Sequence, residues 1–131
     1  MVAGQADSAA AGEASTVAAV ERFNQAFGRQ DIDATMAAMT EDCVFENTSP
    51  APDGTRCVGH AEVRREFAGF FTSSPAAVFE TEEQFEAGDR CIVRWVYRWV
   101  NDDGSPGHVR GVDVFKVRDG RVAEKLSYVK G

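Results

Sequence analysis

The segment that decides the fold is residues 111–129, GVDVFKVRDGRVAEKLSYV. Apolar and polar residues alternate on both sides of an Asp-Gly pair, a combination typical of a tight turn between two strands. The segment therefore predicts an antiparallel hairpin. One acid, Asp113, lies among the apolar residues of its first strand. A carboxylate in that position faces either water or a pocket, and this choice decides how much chemistry the chain can perform.

The rest of the chain predicts helices first and strands last. Apolar residues at three- and four-residue spacing predict helices at 16–28, 32–40 and 60–71. A short strand is predicted at 43–45, before the third helix. The period then changes to two and predicts strands at 78–86, 91–100, 109–117 and 122–129. The order α-α-β-α-β-β-β-β with short connections predicts an α+β fold. In it, three N-terminal helices pack on a curved, mainly antiparallel sheet.

The length and the terminal composition predict one domain preceded by a tail. A chain of 131 residues can bury one core. Residues 1–14 are rich in Ala, Gly and Ser and are expected to be a flexible tail, whereas residues 15–131 are expected to form the domain. The segment 47–59 is rich in turn formers and predicts an ordered loop or a small hairpin. We expect no secretory signal, because the N-terminus lacks a basic start and a sustained apolar run. We expect no membrane span, because no segment approaches 18 consecutive apolar residues.

Charge and cysteine spacing exclude several classes of partner. A net charge of −7 argues against nucleic acid and against an anionic membrane surface. Cys43, Cys57 and Cys91 lack metal-ligand spacing, and the chain has only two histidines. We therefore expect no metal and no cofactor, and reduced thiols in a cytoplasmic protein.

One predicted strand carries three aromatic residues on the same face, Trp95, Tyr97 and Trp99. They predict an aromatic pocket for a flat, apolar ligand, in which Tyr97 is the residue expected to offer a hydroxyl. The alternative is that at least one of the three belongs to the core or to a dimer interface.

Several short sequences resemble those of SnoaL-like and ketosteroid-isomerase-like domains of the nuclear-transport-factor-two-like superfamily. They are FNQAF at 23–27, DIDA at 31–34, DCVFE at 42–46, GHAEVR at 59–64, GVDVF at 111–115 and DGRV at 119–122. The resemblance covers about residues 15–130. It implies a single cone-shaped domain, a cavity lined in part by Phe23 and Phe27, and a homodimer formed through the outer face of the sheet. Because the superfamily contains several kinds of enzyme as well as non-catalytic binders, the fold alone does not fix an activity.

The ketosteroid isomerase pattern is retained only in part. That family uses a tyrosine in the first helix, where this chain has Phe23, and a general-base aspartate after the first strand, where it has Asn47. Glu46, next to Asn47, should point to the opposite face of the strand. The family's third residue is a protonated aspartate in a late strand, and Asp113 matches it. Isomerisation by the family's usual route is therefore not expected.

The register of the hairpin decides which side chains lie near Asp113. A two-residue turn would pair Asp113 with Leu126, and a three-residue turn would pair it with Lys125. We favour the three-residue turn, partly because of the resemblance. Lys125 would then keep the Asp113 carboxylate ionised, and Ser127 would face the pocket. The alternative is a lysine that faces solvent.

Three hypotheses for function follow. The first is a pocket for a small apolar or polycyclic metabolite, with Asp113 as the acid/base of an isomerase or polyketide-cyclase-like reaction. The second is a non-catalytic ligand-binding or accessory protein, because Phe23 and Asn47 replace the expected donor and base. The third is a dimeric interaction module with a vestigial cavity. Asp113→Asn should abolish turnover under the first hypothesis, whereas a non-catalytic binder would lose at most some affinity.

Overall fold

The structure, a computed structural model, describes residues 15–131. The predicted tail, 1–14, lies outside the described residues. In chain order the elements are α1 (Thr16–Gly28), α2 (Ile32–Ala37), β1 (Met39–Glu46), β2 (Arg56–Val58), α3 (His60–Ser73), β3 (Val78–Ala87), β4 (Arg90–Val100), β5 (Pro106–Arg118) and β6 (Arg121–Val129).

The predicted α+β class and the predicted order of elements are confirmed. The one addition is β2, a three-residue strand in the turn-rich segment, which pairs antiparallel with β1. The six strands form one sheet in the order β2-β1-β6-β5-β4-β3. Only the β1–β6 pair is parallel among these strands, and it brings the end of β1 next to the β5–β6 hairpin.

Side-chain caps fix the starts of the first two helices. The Ser15 side chain accepts a hydrogen bond from the backbone N–H of Ala18 at the start of α1, and Asp31 caps α2 through Ala34 in the same way. The prediction that α2 ends near Thr40 is wrong, because α2 ends at Ala37 and the chain enters β1 at Met39. Pairing of β1 with β6 takes precedence over continuation of the helix.

The core joins the helices to the inner face of the sheet. Phe23 of α1, Phe67 of α3 and Phe115 of β5 are almost completely buried. The Phe23 ring centroid lies 5.9 Å from that of Phe67 and 5.8 Å from that of Phe115. Rings at these distances and tilts attract one another beyond simple burial. The helices are thereby held on the sheet face that carries the polar groups described below.

No helix among the described residues is long and apolar enough to cross a membrane.

Candidate ligand-binding site

Three polar side chains, Asp113, Lys125 and Ser127, form a group on the inner face of the sheet that we call the Asp113 cluster. Ser127 Oγ donates a 2.6 Å hydrogen bond to Asp113 Oδ1. Lys125 Nζ lies 3.4 Å from Asp113 Oδ2 and donates a 3.1 Å hydrogen bond to Ser127 Oγ. The Lys125 and Asp113 side chains are only 10% and 9% exposed. Since an unpaired buried charge is strongly unfavourable, each of the two charges makes burial of the other tolerable.

The register of the β5–β6 hairpin brings these side chains together. The turn contains two residues, Asp119 and Gly120, both with positive φ (55° and 74°), as in a type I′ turn. One extra residue in β6, Ala123, then forms a bulge that shifts the pairing. Asp113 consequently lies opposite Ser127.

The predicted three-residue turn and the pairing of Asp113 with Lys125 are therefore wrong. Lys125 pairs with Phe115 and reaches Asp113 diagonally. The two residues are nevertheless close, as expected, because the true register differs from the predicted one by two residues. A shift of two residues leaves every side chain on the same face.

The Lys125 ammonium also lies over two aromatic rings. Its Nζ is 4.8 Å from the centroid of Phe45 and 5.5 Å from that of Phe27. Partly desolvated cation–π contacts of this kind contribute on the order of 1–2 kcal/mol. The cation is therefore held in place by the rings as well as by Asp113.

The Asp113 cluster opens into a cavity of about 180 Å³, which we call the mouth cavity, between α3, the end of β1 and strands β4–β6. Its walls are mostly aromatic or aliphatic and include Phe70, Tyr97 and Val109. The Tyr97 ring stacks on Phe79, with centroids 4.7 Å apart and an angle of 15° between the rings. A dry cavity of about 150 Å³ holds benzene, so the mouth cavity suits one or two fused rings.

A second cavity of about 310 Å³, which we call the side cavity, lies between α1 and strands β3 and β4. Its outer part is polar and includes Glu21, Gln25 and Gln84. Five residues line both cavities: Phe27, Phe79, Trp95, Asp113 and Lys125. The Asp113 cluster is thus bordered by space on two sides, one more polar and one more apolar.

A second carboxylate, Glu66, lines the mouth cavity from α3. It is half-buried, and its Oε2 accepts a 2.7 Å hydrogen bond from Asn47 Nδ2. Glu66 is not among the site residues predicted from the sequence. The available signal was its spacing, because Glu66 lies three residues after buried Val63 and four before Phe70, which puts it at the edge of the apolar stripe.

Most of the predicted site residues line the mouth cavity: Phe27, Asn47, Trp95, Tyr97, Asp113, Lys125 and Ser127. Phe23 and Trp99 line neither cavity. Phe23 is completely buried in the core. Trp99 covers Gly107, where an added Cβ would come within 2.4 Å of the indole, and its Nε1 donates a 2.9 Å hydrogen bond to Asn101 Oδ1.

Residues 15–131 contain the three cysteines and both histidines of the chain. No group of three or more His, Cys, Asp or Glu side chains in this part of the chain is arranged to hold a metal ion. All three cysteines are buried and free. Burial raises the pKa of Cys43 and of Cys91 to about 11, so neither thiol is a ready nucleophile at neutral pH.

Comparison with known proteins identifies the family. The SnoaL-like domain model matches residues 20–125, which is most of the chain. The chain therefore belongs to the SnoaL-like domain family, as the resemblance implied. A solved NTF2-like protein of unknown function from Mesorhizobium loti is 39% identical, with 92% of this chain and 94% of that chain covered and a TM-score of 0.76.

Two other solved structures share the fold at lower identity. TerC, co-crystallised with polyporic acid, is 19% identical over 88% of this chain and 91% of its own, with a TM-score of 0.74. A candidate SnoaL-like polyketide cyclase from Jannaschia sp. is 22% identical over 88% of this chain and 85% of its own, with a TM-score of 0.73. At these identities the likeness concerns the fold alone. No curated protein matches the chain.

Proposed function

We propose that this domain binds a small, flat, mostly apolar metabolite in the mouth cavity and transfers a proton on it, with Asp113 as the acid/base. The observation that carries the proposal is the buried Asp113–Lys125 pair, 3.4 Å apart, in the wall of a cavity that is otherwise largely aromatic. Structural neighbours that include a candidate polyketide cyclase and a polyporic acid complex are compatible with this class of ligand.

The chemistry would be proton removal next to a carbonyl group. The Asp113 carboxylate takes the proton, the electrons of the C–H bond form the C=C bond of an enolate, and negative charge accumulates on oxygen. Lys125 Nζ and Ser127 Oγ are the nearest donors for that oxygen. Apolar walls strengthen such interactions, because little water competes for the charge. Return of the proton to the same or another carbon completes an isomerisation or the first step of a cyclisation.

One observation favours a non-catalytic alternative. Both carboxylate oxygens of Asp113 already have partners, Ser127 on Oδ1 and Lys125 near Oδ2. A carboxylate engaged in this way can hold the lysine in place without moving a proton. In that case Lys125 orients a ligand with a partial negative charge, and the domain is a binding or accessory protein.

Solvent deuterium exchange into 2-tetralone, a flat bicyclic ketone with an acidic C–H bond, tests the proposal and separates it from the alternative. NMR in D₂O follows the exchange. We expect the wild-type domain to accelerate it, and Asp113→Asn to lower the rate constant about a hundredfold or more while the ketone still binds. Binding with equal exchange in wild type and variant would reject the acid/base role and support the non-catalytic reading.

Binding in the mouth cavity has a matched pair of controls on β5. Val109 is half-buried and lines the mouth cavity, whereas His108 is exposed on the opposite face of the strand. Val109→Phe should fill the cavity and weaken 2-tetralone binding at least tenfold, as measured by tryptophan fluorescence titration. His108→Phe adds the same ring outside the cavity and should leave the affinity unchanged. Equal affinity in both variants would place the ligand elsewhere.

A further inference from the structure

We propose that Glu66 is a second proton-transfer group of the mouth cavity and that Asn47 is the residue that positions it. The inference rests on the proposed function, because it adds a second carboxylate to the same cavity. A site with two groups removes a proton at one place and supplies a proton at another. The ligand class remains the one proposed above, a flat carbonyl compound that carries an acidic C–H bond.

The orientation of the Asn47 amide is determined by its hydrogen-bond partners. Asn47 Oδ1 accepts hydrogen bonds from the backbone N–H of Thr55 (2.8 Å) and of Ser49 (3.3 Å). A backbone N–H can only donate, so the amide oxygen must face the loop and the NH₂ group must face the cavity. Asn47 Nδ2 therefore donates to Glu66 Oε2, at 2.7 Å.

The loop that holds Asn47 is closed tightly around it. The Asn47 backbone N–H donates a 3.0 Å hydrogen bond to Thr55 O, and Gly54 N donates a 2.7 Å hydrogen bond to Pro50 O. Gly54 has a φ of +73°, and a Cβ there would lie 1.7 Å from Asn47 O. Only glycine fits this approach. The Asn47 amide is therefore preorganised by its loop, as residues that support a functional side chain usually are.

The two carboxylates of the mouth cavity differ in how many of their oxygens have a partner. Among residues 15–131, Glu66 has no salt bridge, and its Oε1 has no hydrogen-bond partner. Asp113, by contrast, is engaged at both oxygens. Glu66 is half-buried next to Phe67 and Phe70, whose rings face the same cavity. One oxygen of Glu66 is thus fixed, and the other is free to accept a proton.

The resulting step balances without a further reactant. In this two-group version of the reaction, Glu66 takes the place of Asp113 as the base. It removes a proton from the carbon next to a carbonyl, and the electrons of the C–H bond form a C=C bond. The carbonyl π electrons move to oxygen, which takes a proton from the Lys125 ammonium of the Asp113 cluster and becomes the hydroxyl of an enol, and Lys125 is left as a neutral amine. The reverse transfers restore the carbonyl compound and both protein groups.

The test is the exchange of deuterium into 2-tetralone by variants of the whole chain. Glu66→Gln should lower the exchange rate constant about a hundredfold or more while changing the affinity for 2-tetralone by less than threefold. Glu66→Asp should recover part of the rate. Glu62→Gln, one turn earlier on α3, is the matched control. Glu62 is exposed and accepts a hydrogen bond from Val58 N, which the glutamine carbonyl can also accept.

The positioning role of Asn47 has its own readout. Asn47→Ala should lower the exchange rate about tenfold and move the pH at which that rate is half-maximal. Removal of a residue that only stabilises the loop would lower the unfolding temperature but leave this pH unchanged, and that result would overturn the role of Asn47.

The outcomes distinguish this inference from the proposed function. Full exchange by Glu66→Gln together with loss by Asp113→Asn overturns the inference and leaves the proposed function standing. Loss by Glu66→Gln with full exchange by Asp113→Asn supports Glu66 and overturns the role proposed for Asp113. An equal loss in Glu62→Gln and Glu66→Gln overturns the inference, because the effect would then come from the charge of the helix. A wild-type domain that does not accelerate exchange overturns both.

Discussion

Lys125 Nζ lies 3.4 Å from Asp113 Oδ2 although the two residues are not paired across the hairpin. Lys125 is opposite Phe115, and Asp113 is opposite Ser127. The diagonal arrangement leaves room for the Ser127 hydroxyl to bridge the two charges. The pair is therefore part of a three-residue network, and the loss of any one member should affect the other two.

Removal of the lysine should destabilise the domain strongly. Lys125→Met leaves the Asp113 carboxylate buried without its partner, and breaking such a pair from one side costs about 3–5 kcal/mol. We expect a loss of that size in the free energy of unfolding, measured with urea at pH 7. Lys130→Met, at an exposed position, is the control. The double variant Lys125→Met/Asp113→Asn should recover part of the loss, and a single-variant loss below about 1 kcal/mol would contradict a buried ion pair.

Acid should remove the contribution that Asp42 makes to the stability of the folded state. The hydrogen bond from Thr40 Oγ1 and that from Arg118 hold the Asp42 pKa below its ordinary value of 3.8. A lowered pKa in the folded state stabilises the protein above the unfolded pKa, and the effect disappears as pH falls through the folded value. Arg118→Gln should therefore lower the urea midpoint at pH 6 but not at pH 2. The neighbouring Arg121→Gln should change neither value, and an equal loss at both pH values would reject this origin.

The three thiols should be protected from alkylation by the fold. Burial raises the pKa of Cys43 and Cys91 to about 11, and it raises that of Cys57 as well. A raised thiol pKa stabilises the folded state below the ordinary value of 9.0, and the contribution is lost as pH rises through the folded value. Iodoacetamide at pH 8 should label all three cysteines in urea and none rapidly in the native protein, as mass spectrometry can show. Fast native labelling of Cys43 would contradict its burial.

Dimerisation through the outer face of the sheet is the expectation for the oligomeric state. Phe85 and Tyr128 are half exposed there, on the walls of a groove of about 420 Å³. Large exposed apolar side chains of this kind are typical of interaction surfaces. Light scattering should give a dimer for the wild type and a monomer for Tyr128→Glu. Val58→Glu, which changes an equally exposed apolar residue on β2, should remain a dimer. A monomeric wild type would reject the expectation.

The sequence predicted the architecture because the fold depends on periodicity. The helical stripe around Phe23 and the alternation around Trp95 each require burial of one face, and tertiary packing satisfies both requirements. The inward direction of Asp113 follows from the same alternation. The extent of the cavity along β4 does not follow from alternation, because alternation shows which face a side chain occupies but not how far the cavity reaches along the strand. Trp99 accordingly lies on the predicted face and outside both cavities.

The features that position the polar side chains of the site could not be predicted from periodicity. A bulge requires only one residue, and the two adjacent apolar residues Val122 and Ala123, both buried, were its only trace in the sequence. The Asn47–Glu66 hydrogen bond joins residues 19 positions apart. Its existence depends on how α3 packs beside β1, which local sequence patterns do not specify.

The bulge at Ala123 also affects how the hairpin tolerates changes in chain length. At the bulge, β6 contains one more residue than regular pairing with β5 requires. Deletion of Ala123 would convert the bulged segment into a regular two-stranded ladder and leave Asp113 opposite Ser127. Between Lys125 and Ser127 the pairing is regular, so one inserted residue there would turn the serine to the outer face. The segment between the turn and the Asp113 cluster can therefore shorten by one residue without changing the cavity, whereas the segment within the cluster has a fixed length.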